Sequence, residues 1–210
     1  MVKSASRGPE MTYLKKGRKN LLLVNNVLVT EIIMENKNSG LFGSFLGAFP
    51  ISRIRRNHGL EHATLHILAK RYPKTSLAGH SDMGGFWILG DVEAEDVRSS
   101  VNEALQRMQD GEEELAVHPN CGTNFVTAGT FAGVAASLAM FGAGRRFRDR
   151  LERVPLAASF ATLALMFAQP MGLLVQEHLT TSGNPGDLEV VDIVPSNRGR
   201  IKAYRVTTRG

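Results

Sequence analysis

Two histidines four residues apart, with a glutamate beside the second, stand in the run His58-Gly59-Leu60-Glu61-His62. On a helix, positions i and i+4 share one face, so both imidazoles can reach one divalent ion. Glu61 then lies a turn above His58, where it can hydrogen-bond a water held on that ion. The order H-x-x-E-H is the inverted zinc-protease pattern. Its chemistry is hydrolysis: the ion activates water and polarises a carbonyl, and the carboxylate moves a proton as general base. Burying an unpaired carboxylate on an apolar face is costly, and a cation compensates for it.

A second cluster follows at His118-Pro119-Asn120-Cys121-Gly122-Thr123-Asn124. A histidine and a cysteine three residues apart suit metal ligation, and the proline and glycine suit a tight turn. His118 is the preferred third ligand beside His58 and His62, with Cys121 next, either as a ligand or lining the site. Thr123 or Asn124 can cap the helix that follows. His66, one turn beyond His62, is expected to orient a ligand through a hydrogen bond. His80 sits in a glycine-rich loop that can overhang the site, and His178 is expected to face water. The expected cofactor is one zinc ion, with iron or manganese as alternatives.

The elements that must position these residues can be read from periodicity. Ile51 to Tyr72 reads as a helix that starts after Pro50 and stops before Pro73. Ile51, Ile54, Leu65 and Leu68 fall on the same stripe as His58 and His62, so the histidines should face the interior. Gly59 lowers helix propensity by about 1 kcal/mol relative to Ala, which makes sense if something must approach the backbone there. Residues 75–80 and 85–90 read as short strands, 93–109 as an amphipathic helix stopped by Gly111, and 114–117 as a strand. Residues 188–193 and 201–206 read as a C-terminal hairpin, and 20–35 as either helix or strand.

Two long segments carry no charged side chain, Pro119 to Gly144 and Val154 to Gln176. Each is long enough to cross a bilayer, and the first is rich in the small residues that let helices approach closely in lipid. The charged stretch Arg145–Arg153 between them makes a helical hairpin with a polar tip. A pair of alanine-rich helices in a soluble core is the competing reading. Leu41–Phe49 is too short to span.

The formal net charge is +5, concentrated at Lys15–Lys19, Arg53–Arg56 and Arg145–Arg153. No nucleic-acid module is recognisable, so anionic membrane lipid is the expected charged partner. A lone cysteine excludes an intrachain disulfide and suits a reducing compartment, and the first twenty residues lack the apolar run of a secretory leader. The positive-inside rule would put the Arg-rich tip in the cytosol. The missing leader and free cysteine point the other way, and a cytoplasmic bulk domain on a multi-pass membrane protein is the expectation adopted.

The pairing of H-G-x-E-H with a later H-P-x-C-G-T and apolar helices resembles an uncharacterised bacterial membrane family of predicted metal-dependent enzymes. The matching residues are His58, Gly59, Glu61 and His62, then His118, Pro119, Cys121, Gly122 and Thr123. Leu179–Thr181 and Asp187–Val190 resemble that family's closing segment. The loop Ala78-Gly79-His80-Ser81-Asp82 resembles a separate branch seen in photosynthetic and filamentous bacteria. The resemblance implies a metal site and membrane attachment, and it implies no substrate.

The expected fold class is α+β: a zincin-like metal-binding helix with a small β-sheet, plus a two-helix transmembrane hairpin. The expected divisions are a basic and apolar segment (1–50), a metal-binding region (51–122), the hairpin (123–178) and a C-terminal β-hairpin packing on the metal-binding region (179–210). The function expected is a membrane-associated zinc hydrolase, most simply a metallopeptidase with a peptide or protein substrate. The alternative is a structural ion saturated by His58, His62, His118 and Cys121 in a non-catalytic scaffold.

Overall fold

The structure is a computed structural model that describes residues 40–198 and 201–210. The basic run at 15–19 and the helix-or-strand segment at 20–35 lie outside the described residues. The chain divides into two compact units, Met1–Ala48 and Phe49–Gly210. In the first, α1 spans Gly40–Gly47. All other described elements belong to the second.

The second unit opens on α2, Ile51–Arg71, with Pro50 at its N-cap and its end at Tyr72, just before Pro73. Leu60, Leu65 and Leu68 are buried along it, whereas Ile54 is exposed, so the apolar stripe does not run its full length. Strands β1 (Ala78–Asp82) and β2 (Gly85–Leu89) follow. Next is α3, Ala94–Gln109, amphipathic as its spacing predicts, with Val97, Val101, Ala104 and Met108 buried. It stops where Gly111 takes a φ of 98°, a conformation that favours glycine. Two long helices come next, α4 (Gly122–Met140) and α5 (Phe147–Val175). The chain closes with β3 (Glu189–Arg198) and β4 (Ile201–Arg209).

The four strands form one antiparallel sheet in the order β1-β2-β4-β3. The C-terminal strands are hydrogen-bonded into the same sheet as β1 and β2: Phe86 faces Val206 and Ile88 faces Tyr204. The core lies between this sheet and helices α2 and α3, with Leu60, Leu68, Phe86, Ile88, Val101 and Val206 fully buried. The architecture is α+β.

Residues 113–116 form a turn of 3-10 helix, where a strand was expected over 114–117. The reason lies in α2. The carbonyls of Ala116 and Val117 are taken by side chains of α2, not by a neighbouring strand.

Helices α4 and α5 pack against each other. α5 begins at Phe147, so the charged stretch expected to form a tip is partly helical. Among the described residues, the segment Phe147–Thr180, 34 residues, is long and apolar enough to cross a membrane by length and composition. α5 contains both Pro155 and Pro170 and ends in a short π-helical turn, Gln176–Thr180.

The structure gives Gly59 its reason. A Cβ built there would overlap the Ser182 carbonyl oxygen, and the Ser182 N–H donates to the Arg55 carbonyl at 3.0 Å. The segment after α5 thus crosses directly over α2 at this glycine. Gly59→Ala gains about 1 kcal/mol of helix propensity but forces backbone apart at a cost of about 1–3 kcal/mol. The expected net result is a lower Tm in thermal unfolding, and an unchanged or raised Tm would show that the crossing is loose.

Candidate metal centre

α2 supplies the first two side chains. The His58 Nδ1 lies 3.0 Å from the Thr180 carbonyl and the His62 Nδ1 lies 2.7 Å from the Ala116 carbonyl. A carbonyl oxygen only accepts, so each Nδ1 carries the proton and each Nε2 keeps its lone pair. That is how imidazole ligands are usually oriented in metal sites: one nitrogen is anchored, and the other is left to coordinate.

The third side chain comes from the turn before α4. Cys121 is the N-cap of that helix, and its Sγ accepts from the Thr123 N–H at 3.4 Å; the thiol caps the helix where Thr123 or Asn124 was expected to. The same Sγ lies 3.5 Å from the His58 Nε2. Burial pushes the Cys121 thiol up, but its interaction with the His62 ring and the hydrogen bond from the Thr123 N–H outweigh it and leave the thiol below its ordinary value. A helix N-terminus favours a thiolate in the same sense.

His58, His62 and Cys121 each offer one ligand atom, and these atoms all lie within 4.8 Å of one another. Zn–N and Zn–S bonds at tetrahedral angles put N and S about 3.6 Å apart, close to the His58–Cys121 separation. These three side chains could hold a metal ion.

His118 stands beside this group rather than in it. Its ring centroid is 5.7 Å from that of His62 and 4.7 Å from that of His66. The Asn120 N–H donates to its Nδ1 at 3.2 Å, so the neutral ring carries its proton on Nε2 and has no free lone pair. Sequence spacing preferred His118 to Cys121 as the third ligand; the turn brings Cys121 to the histidines and turns His118 into a donor. His66 gives its Nε2–H to the Val117 carbonyl at 2.8 Å, which steadies the segment carrying His118.

Burial, with the charges of His66 and His62, holds His118 down to about 4. Its folded value is thus below that of the unfolded chain, near 6.5. Between those two values the unfolded state binds the proton that the folded state refuses, so stability falls as pH falls. Metal-free protein should lose stability from about pH 6.5 downward, and His118→Asn should flatten that slope in denaturant titrations. An identical slope in the variant would assign the loss to other groups.

Glu61 is buried on α2 and faces β1. The Ser81 hydroxyl donates to its Oε2. A Cβ at Gly79 would overlap Oε1, so any larger residue there would displace the Glu61 carboxylate. Burial raises the Glu61 carboxyl above its ordinary range, partly offset by the Ser81 hydrogen bond and the charges of His58 and His80. From sequence, Gly79 and Ser81 entered only as members of the Ala78–Asp82 loop, with no role beside Glu61. The signal was present, because alternate residues of a strand share a face, and a strand through residues 78–82 puts 79 and 81 on the helix side together.

These groups line one cavity of about 360 Å³, with Glu61, the three possible ligands, His80 and His118 in its walls. His80 is exposed on β1, and His178, half-buried, offers its carbonyl to Arg55 at 3.0 Å. Gln176, another residue not foreseen, is wholly buried. It accepts from the His118 N–H at 3.0 Å and donates to the Asn124 Oδ1 at 2.6 Å, tying the end of α5 to the start of α4.

Residues 53–193 match a family profile described as a domain of unknown function, DUF6391. The chain belongs to this family. The matched region contains the whole cavity wall from Ile54 to Thr123. The chain is also similar to an uncharacterized protein of Picosynechococcus sp. (strain ATCC 27264 / PCC 7002 / PR-6), 34% identical over 155 residues, which covers 63% of this chain and 76% of that protein. No solved structure matches.

Proposed function

We propose that the DUF6391 region of this chain is a membrane-associated zinc-dependent hydrolase of the metallopeptidase type. The observation that carries this reading is the group His58, His62 and Cys121, with Glu61 in the wall of the same cavity. Three protein donors leave a fourth position for water, whereas four close a zinc site; the placement of His118 outside the group supports the open form over a purely structural ion. A zinc ion bound there would supply a Lewis acid that polarises a carbonyl and brings the pKa of water toward 7.

The chain's own residues do the rest. Glu61 takes one proton from the attacking water, whose oxygen bonds to the carbonyl carbon. The C–N bond breaks, and Glu61 returns the proton to the leaving nitrogen, giving a carboxylic acid and an amine. A raised pKa suits a group that must both accept and release a proton. Ser81 and Gly79 hold the carboxylate in one orientation. His118, neutral and protonated on Nε2, is the donor available to the carbonyl oxygen as it gains charge.

Membrane attachment is proposed through α4 and α5 as a transmembrane hairpin. Phe125, Val126, Phe141, Met166 and Phe167 are 72%, 71%, 85%, 71% and 66% exposed. A helix pair apolar on its outer faces fits lipid better than water. The bulk domain lies on the cytoplasmic face in this reading, and the arginines of residues 145–153 meet lipid phosphates at the opposite face.

Protein purified without chelator should carry close to one equivalent of zinc. Less than about a tenth of an equivalent would remove the metal reading. Restoring zinc to stripped protein at a hundred times Kd should add about 2.7 kcal/mol of stability, and no change in unfolding midpoint would count equally against it.

A further inference from the structure

We infer that this site acts on extended polypeptide at the bilayer surface, in the stretch of a membrane-anchored protein that adjoins its anchor. The inference rests on the peptidase and hairpin readings above and adds the class of substrate.

The N-terminus of α4 and the C-terminal end of α5 converge on the metal group. Cys121 directly precedes α4, and the Thr180 carbonyl that anchors His58 closes the turn after α5. Thr123 and Thr180 meet at 3.3 Å through their hydroxyls. The arginine-rich stretch lies at the opposite end of both helices. At about 1.5 Å per residue, the Gly122–Met140 helix is about 28 Å long, close to the roughly 30 Å of bilayer hydrocarbon. The stretch Val154–Val175 gives about 33 Å. With the helices in lipid, the ligand group therefore sits in the headgroup layer on one side and the arginines on the other. Phe125 and Val126, on the first turn of α4, put exposed apolar surface immediately beside cavity-lining Gly122 and Thr123.

The opposite wall of the cavity is β1, which among the described residues is the edge strand of the sheet, held along one side by β2. An extended peptide can add to the other edge by main-chain hydrogen bonds. Ala78 to Ser81 line the cavity, so a peptide so placed runs past Glu61 and the three ligands. A folded soluble protein does not bring an extended strand into the headgroup layer. The few residues that connect a membrane anchor to its domain are already there.

The test uses the full chain, zinc-loaded, in bacterial membrane vesicles mixed with the soluble proteins of the same host, with Glu61→Gln protein as control. New N-termini are mapped by mass spectrometry. Most ends specific to the unsubstituted protein should fall within about ten residues of a membrane segment. Ends scattered through soluble proteins would overturn this inference and leave the peptidase reading standing. No specific ends at all would overturn both. A second measurement isolates the membrane placement: Phe125→Trp in a Trp87→Phe background, which leaves the substituted tryptophan as the sole indole. Lipids brominated near the headgroup should quench it, and quenching by aqueous iodide alone would refute the placement whatever the cleavage pattern.

Discussion

Glu61→Gln protein should bind zinc with unchanged stoichiometry and lose hydrolysis by at least about a thousandfold, the upper part of the range for removing a general base together with its charge. The substitution keeps the side chain's shape, and its amide oxygen can still accept from Ser81. It removes the carboxylate's charge and its ability to take and return a proton. Glu61 is not in the ligand group, so metal retention separates a catalytic role from a coordinating one. Loss of metal in Glu61→Gln would make the carboxylate a ligand. Unchanged turnover with metal retained would end its role as base. The assay needs a cleaved substrate from the mapping experiment described above; the metal analysis does not.

His62→Ala should lose zinc and also lower stability without metal. The ring is buried, and its Nδ1–H satisfies the Ala116 carbonyl at 2.7 Å. Truncation leaves that carbonyl unpaired and a hole beside it, together worth about 2–4 kcal/mol. It also removes the bond that holds the 3-10 turn, and through it the segment leading to His118 and Cys121. Two ligands cannot bind zinc tightly in competition with water, so metal content should fall well below one equivalent. His62→Gln serves as a partner variant, because it fills more of the hole. If either variant folds and keeps stoichiometric zinc, His62 is not a ligand.

The local features of the fold were legible where neighbours along the chain decide them. α2 followed from its stripe and the prolines at either end, α3 from its spacing and Gly111, and the two long helices from uninterrupted apolar composition. Features decided by distant partners were less legible. Residues 114–117 look like a strand because Leu115, Ala116 and Val117 are apolar. They adopt a 3-10 turn because His62 and His66, about fifty residues earlier, claim the carbonyls of Ala116 and Val117. The oddity of Gly59 was visible in sequence, but its cause, the crossing of Ser182, was not.

By itself, the sequence determined that His58 and His62 share a helix face with Glu61 adjacent, since four residues make about one turn wherever that helix lies. It also determined that two apolar stretches follow the second cluster. Only the tertiary structure decided which side chain of His118-Pro119-Asn120-Cys121 joins the histidines. Either could do so on spacing alone. The choice depends on the direction in which each leaves the turn, and that is fixed by contacts from outside it: Gln176 on the His118 N–H, and the first turn of α4 on the Cys121 Sγ. The same holds for β1 against Glu61, because a strand's register on a helix is set by the whole core, not by the residues that meet there.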